Sequence, residues 1–77
     1  MSKDENIYST SSFIHLLRAK HGLDIISLST LLKMTQRDIK EMIKGREQLG
    51  RDNYFKIIEH IGEDIQCDYT GTYGEIR

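Results

Sequence analysis

Apolar residues recur along most of this chain at spacings of three and four, and glycines and small polar residues interrupt the recurrence where helices would begin and end. Phe13, Ile14, Leu16 and Leu17 follow the cluster Ser9-Thr10-Ser11-Ser12, whose hydroxyls offer several N-caps. Ile14 and Leu17 share one face of the resulting helix, and Gly22 ends it, because glycine accepts the left-handed conformation without a steric cost. Asp24 then caps a second short helix from Ile25 to about Leu32, with Leu28 and Leu32 one turn apart. After a break around Lys33 and Met34, Thr35 caps a third helix. Ile39, Met42 and Ile43 form its buried side, Gln36, Arg37, Lys40 and Lys44 point the other way, and Gly45 closes it. A fourth helix from about Arg51 to Ile61 turns Tyr54, Ile57, Ile58 and Ile61 inward and stops at Gly62.

The two ends of the chain read differently. Residues 1–9 lack periodicity and predict a flexible arm. Past Gly62, the apolar Ile65, Cys67 and Tyr69 alternate with Gln66 and Asp68, and the region of Gly71 separates them from Tyr73 and Ile76. Residues 63–77 are therefore expected to be an extended or hairpin segment. A lone hairpin is marginal in water, and unpaired strand edges can be satisfied by a second copy across a two-fold axis. Ile65 and Tyr69 are accordingly expected to be dimer contacts. The fold class expected is all-α: a compact four-helix domain over residues 10–62 with the extended segment behind it.

With 77 residues there is room for one core only. Hydrophobic residues at 38% and charged residues at 30% suit a folded globule rather than a disordered chain. The polar, acidic start lacks the basic and apolar regions of a secretory signal, no apolar run reaches membrane-spanning length, and Cys67 has no partner for a disulfide. These features predict a cytoplasmic protein without membrane contact. Net charge is −1, but its distribution is uneven. From Phe13 to Gly45 the cations Arg18, Lys20, Lys33, Arg37, Lys40 and Lys44 outnumber Asp24, Asp38 and Glu41 for a local +3, whereas the tail from Glu63 carries −3. A basic centre between acidic ends fits contact with a polyanion through one face.

Two short helices joined by a tight turn, the second with polar and basic residues outward, meet the physical description of a DNA-reading helix-turn-helix. In this region the chain resembles the lambda-repressor and Cro type of helix-turn-helix domain. The resemblance rests on Leu17-Arg18, Gly22-Leu23, Leu28-Ser29 and Met34-Thr35, then on Ile39, Met42 and Gly45, and on Tyr54, Phe55, Ile57, Ile61 and Gly62 in ungapped register. It covers roughly Phe13 to Gly62. Three positions depart from the family pattern: Ile25 stands where a phosphate-contacting Gln is common, Lys33 where the turn often has Gly, and Ile43 where a Glu often pairs with the helix-one Arg. Arg18 is thus left to pair with Glu47 or to meet phosphate.

The resemblance implies a sequence-specific transcriptional regulator of phage or mobile-element type that binds a palindromic operator in duplex DNA as a homodimer. Gln36, Arg37 and Lys40 would read bases, since Gln pairs bidentately with adenine and Arg with guanine. Thr35, Lys44, Arg46 and Arg18 would meet phosphates. The alternative is an antirepressor-like protein of the same fold that binds a partner repressor. Net acidity, the absent helix-two Gln and the apolar pair Ile25 and Ile26 favour that reading. His15, His21, His60 and Cys67 lie on separate segments, and no nucleophile, base and orienting group form a set. No enzyme activity, metal, cofactor or small-molecule substrate is expected.

Overall fold

Each helix of the computed structural model, which describes residues 7–69, begins at a residue whose backbone or side chain suits a helix end. Helix α1 (Thr10–His21) starts from Ser9, whose hydroxyl oxygen accepts the Ser12 N–H at 3.1 Å. Helix α2 (Ile25–Leu32) starts from Asp24, whose carboxylate accepts the Ser27 N–H at 2.8 Å. Helix α3 (Gln36–Ile43) starts from Thr35, whose hydroxyl oxygen accepts the Asp38 N–H at 3.1 Å. Each of these bonds satisfies one amide that a helix start would otherwise leave without a partner. Helix α4 (Arg51–Ile61) has no side-chain cap; Gly50 leads into it at φ 88°.

One stripe from each helix meets in a single core. Phe13, Ile14 and Leu17 come from α1, Leu28 and Leu32 from α2, Ile39 and Met42 from α3, and Tyr54 and Ile57 from α4. Ile58 and Ile61, expected on the inward stripe, lie at its margin half-buried, as does Ile43 on α3. Helix α3 packs on both α1 and α2, and α2 also packs on α4, so α3 is held from two sides. Two connecting residues add to the core: Leu23 before α2 and Leu49 before α4. Leu49 is fixed by its N–H, which donates to the buried Thr10 hydroxyl oxygen at 3.1 Å. That hydroxyl in turn donates to Gln48 Oε1 at 3.2 Å.

The chain ends correct two expectations. Tyr8–Ser9 form a strand, β1, and Cys67–Asp68 a second, β2, paired in parallel with Tyr8 opposite Cys67 and Ser9 opposite Asp68. The fold is therefore mostly helical, in keeping with the helical class expected, and adds a small two-stranded parallel sheet, to which Tyr8 and Ser9 belong rather than to an arm. The alternation of Ile65 and Cys67 is real, but their apolar face is used within the same chain. Ile65 and Cys67 are buried in the core, Tyr69 packs on it half-buried, and the Tyr54 hydroxyl donates to the Ile65 carbonyl at 2.6 Å. Ile65 is thus a packing residue rather than a dimer contact, while Tyr69 packs on the core with part of its surface still exposed. A strand face needs a surface, and the helical core supplies one without the entropy loss of joining two molecules. The Tyr69 carbonyl also accepts the Gly50 N–H at 2.9 Å, which ties β2 to the start of α4. Burial pushes the Cys67 thiol up to about 12, with the neighbouring Asp68 charge a smaller cause. Tyr73 and Ile76, expected in a hairpin, lie outside the described residues. Among the described residues, no helix is long and apolar enough to cross a membrane.

Candidate nucleic-acid interface

The turn from α2 into α3 is closed by local hydrogen bonds. Lys33 takes the left-handed conformation at φ 57°, the Met34 N–H donates to the Ser29 carbonyl at 3.1 Å, and the Ser29 hydroxyl donates back to the Met34 carbonyl. A left-handed lysine is strained relative to glycine, so the surrounding bonds hold what the residue alone would not prefer. Asn53 on α4 braces the same turn: its amide donates to the Leu49 carbonyl at 3.0 Å and lies 3.5 Å from the Met34 sulfur. The start of α3 is therefore fixed to the core from below.

From that start, α3 separates two faces cleanly. Ile39 and Met42 are 0% exposed, while Thr35, Gln36, Arg37, Lys40 and Lys44 are all exposed. Gln36, Lys40 and Lys44 succeed one another at four-residue spacing with Arg37 beside them, which makes one continuous polar and basic stripe. Among the described residues Arg37, Lys40 and Lys44 make no ion pair. Arg46, just beyond the helix, lies 3.7 Å from Glu41, a long and exposed pairing that an anion can replace. Thr35 uses its oxygen lone pair to cap the helix, and its hydroxyl hydrogen stays available to donate. The helix N-terminus, where amides carry partial positive charge, lies at the same end as Gln36 and Arg37.

Not every expected site residue joins this face. Arg18 lines an open groove of about 470 Å³ with His15, Ala19, Gly22 and Asp24. There it attracts Asp24, whose carboxyl is held below its ordinary value first by the Ser27 hydrogen bonds and last by Arg18. Arg18 thus faces the N-cap of α2 and not Glu47. The Ile25 and Ile26 pair is split: Ile25 packs half-buried on the core, whereas Ile26 is 61% exposed. Helix α2 turns no charged side chain outward. The resemblance places Phe55 with the fourth-helix core, yet it is 50% exposed with the Arg51 guanidinium 5.7 Å from its ring centroid. Nothing in the periodicity distinguishes an exposed aromatic from its buried neighbour Tyr54. Among the described residues no group of three or more His, Cys, Asp or Glu side chains is placed to hold a metal ion. Comparisons with known protein families, with curated proteins and with solved structures found no match.

Proposed function

We propose that the protein binds duplex DNA by laying α3 in the major groove, in the manner of a helix-turn-helix regulator. The observation that carries this is the stripe of Gln36, Arg37, Lys40 and Lys44, whose cations make no ion pair among the described residues, on a short helix that buries Ile39 and Met42 completely on its other side. A major groove admits one helix, and side chains near its N-terminus reach base edges. Gln36 and Arg37 sit on the first turn, so they are the base readers, and Lys40 follows them one turn on. Thr35, Lys44 and Arg46 flank them on phosphates. Arg18 reaches a phosphate only by turning away from Asp24. One α3 reads a few base pairs, so a palindromic operator bound by two copies fits the size of the reader. Transcriptional regulation, in a phage or mobile element, is the role such a module would serve.

Ile26 favours a second reading, in which α2 offers an apolar contact to a partner repressor. Salt dependence separates the two, because phosphate contacts release counterions and apolar contacts do not. Measured by fluorescence anisotropy on operator-length duplexes, affinity is expected to fall steeply with salt. Lys44→Ala should lower the slope of log affinity against log salt by about 1 and weaken all sequences alike. Salt-independent binding, or no binding to any duplex at low salt, would refute the DNA reading.

A further inference from the structure

The turn before α3 holds a sulfur atom. Met34 is half-buried between Lys33 and the cap residue Thr35, and the Asn53 side-chain amide donates to its Sδ at 3.5 Å and to the Leu49 carbonyl at 3.0 Å. Both hydrogens of that amide are thereby used. The backbone of Met34 is tied as well: its N–H donates to the Ser29 carbonyl at 3.1 Å, and its carbonyl accepts the Ser29 hydroxyl. The other sulfurs among the described residues are shielded. Met42 is 0% exposed, and the Cys67 thiol is buried and pushed up to about 12, so little of it is the reactive thiolate. Met34 is thus the sulfur among the described residues that a small oxidant can reach.

We propose that Met34 is a reversible oxidation site, taking an oxygen from a hydroperoxide such as hydrogen peroxide, and that the sulfoxide formed there displaces the start of α3. The sulfur lone pair attacks one peroxide oxygen, so an S–O bond forms as the O–O bond breaks. Sulfur gives up two electrons, and the departing hydroxide takes the proton of the transferred oxygen and leaves as water. An apolar thioether becomes a polar sulfoxide whose sulfur is partly positive and whose oxygen is the acceptor. The Asn53 N–H aimed at the sulfur then loses its acceptor. To bond the new oxygen instead it needs about 2.9 Å between nitrogen and oxygen, which the sulfur, itself only 3.5 Å away, allows only by retreating. If the oxygen turns to water, the same hydrogen is left unpaired in a half-buried site. Either way the brace between α4 and the turn is lost. Because the Met34 backbone is bonded at both its polar groups and directly precedes Thr35, the shift passes into the cap and on to Gln36 and Arg37. Its consequence for affinity rests on the reading of α3 as the DNA-binding helix.

Treating the full chain with dilute hydrogen peroxide tests it, with peptide mass mapping, heteronuclear NMR and duplex binding followed on the same sample. Met34 should gain one oxygen while Met42 stays unmodified. The Asn53 side-chain amide and the backbone amides of residues 34–37 should then shift, with helical circular dichroism at the parent level, which separates a moved turn from lost folding. Affinity for the duplex that the parent binds most tightly should fall roughly tenfold, about the worth of one base contact. Methionine sulfoxide reductases acting on both epimers should reverse the shifts and the loss. Met34→Leu, close in volume, should keep the fold and be indifferent to peroxide. Oxidation of Met42 ahead of Met34, an oxidised Met34 that leaves residues 34–37 unmoved, an unchanged affinity of the oxidised chain for a duplex that the parent binds, or a peroxide effect that persists in Met34→Leu would each overturn the proposal. The NMR shifts need no DNA, so a parent chain that binds no duplex refutes the DNA reading while the shifts alone still decide the oxidation site.

Discussion

Helices α2 and α3 are alike in almost every structural respect and opposite in what they present. Both have eight residues, both start from a side-chain cap, and both bury two residues: Leu28 and Leu32 in one, Ile39 and Met42 in the other. Yet the exposed positions of α2 are Ile26, Ser27 and Thr30, and those of α3 are Gln36, Arg37 and Lys40. The inward residues set where a helix sits, and the outward ones set what it can meet. Since the outward residues do not contribute to the core, they are free to carry chemistry, and only α3 carries charge.

The largest effects should fall equally on the inward faces. Leu28→Ala and Ile39→Ala each remove a fully buried aliphatic side chain, and each should cost about 2–5 kcal/mol of folding stability. For a domain this small such a loss approaches total stability. Urea unfolding at neutral pH checks both; a cost under about 1 kcal/mol for either would mean that the two helices are not equally embedded. The outward faces should then part company. Arg37→Ala should weaken binding to a specific operator by about 1–3 kcal/mol, whereas Ile26→Ser should leave DNA affinity unchanged. Neither should move the melting temperature appreciably, since both sites are exposed. Equal losses of DNA affinity from the two would remove the distinction between the faces.

The four helices were legible because local signals agree. The caps Asp24 and Thr35 and the stops Gly22 and Gly62 mark ends, and the three-and-four spacing marks the buried stripes. The outward stripe of α3 is legible for the same reason, as the complement of Ile39 and Met42. What escaped sequence reading depends on distant contacts. The pairing of Tyr8 with Cys67 joins two-residue strands from opposite ends, and no local period encodes so short and remote a partner. Leu49 and Thr10 are buried by a bond between a connection and a helix start. The direction of Arg18 follows from the position of Asp24 across the α1 to α2 turn, which spacing alone does not give.

The comparison sharpens at the C-terminal ends of the helices. Helices α1 and α4 end on left-handed glycines, Gly22 and Gly62, whereas α2 ends on left-handed Lys33. Lys33→Gly removes the steric strain of that conformation but adds freedom to the unfolded chain, so the net gain should be roughly 0.5–1 kcal/mol. A higher urea midpoint is expected, with operator affinity retained because α3 keeps its cap and its stripe. A lower midpoint would mean that the lysine side chain contributes more than its backbone costs.

The smallest effect concerns charge used inside the fold instead of presented by it. Where the α3 cations have no ion-pair partner among the described residues, Glu63 has two: Lys20 Nζ at 2.5 Å and His21 Nε2 at 3.0 Å, both at the end of α1. This clasp draws the segment leading into β2 against α1. The Lys20 hydrogen bond is the main reason that the Glu63 carboxyl lies below its ordinary value of 4.5, with His21 adding to it and desolvation opposing. A carboxyl depressed in the folded chain favours folding while it is ionised. Its contribution is therefore complete above the ordinary value and is lost as pH falls from 4.5 through the lower folded value. Because the pair is exposed, the contribution is small and salt should weaken it. Glu63→Gln should thus lower the urea midpoint slightly at pH 7 and bring it level with the parent in acid, below the folded value. Its operator affinity should match that of the parent, since Glu63 braces β2 and not α3. A midpoint difference of the same size at both pH values would assign the effect of Glu63 to packing instead of to its charge.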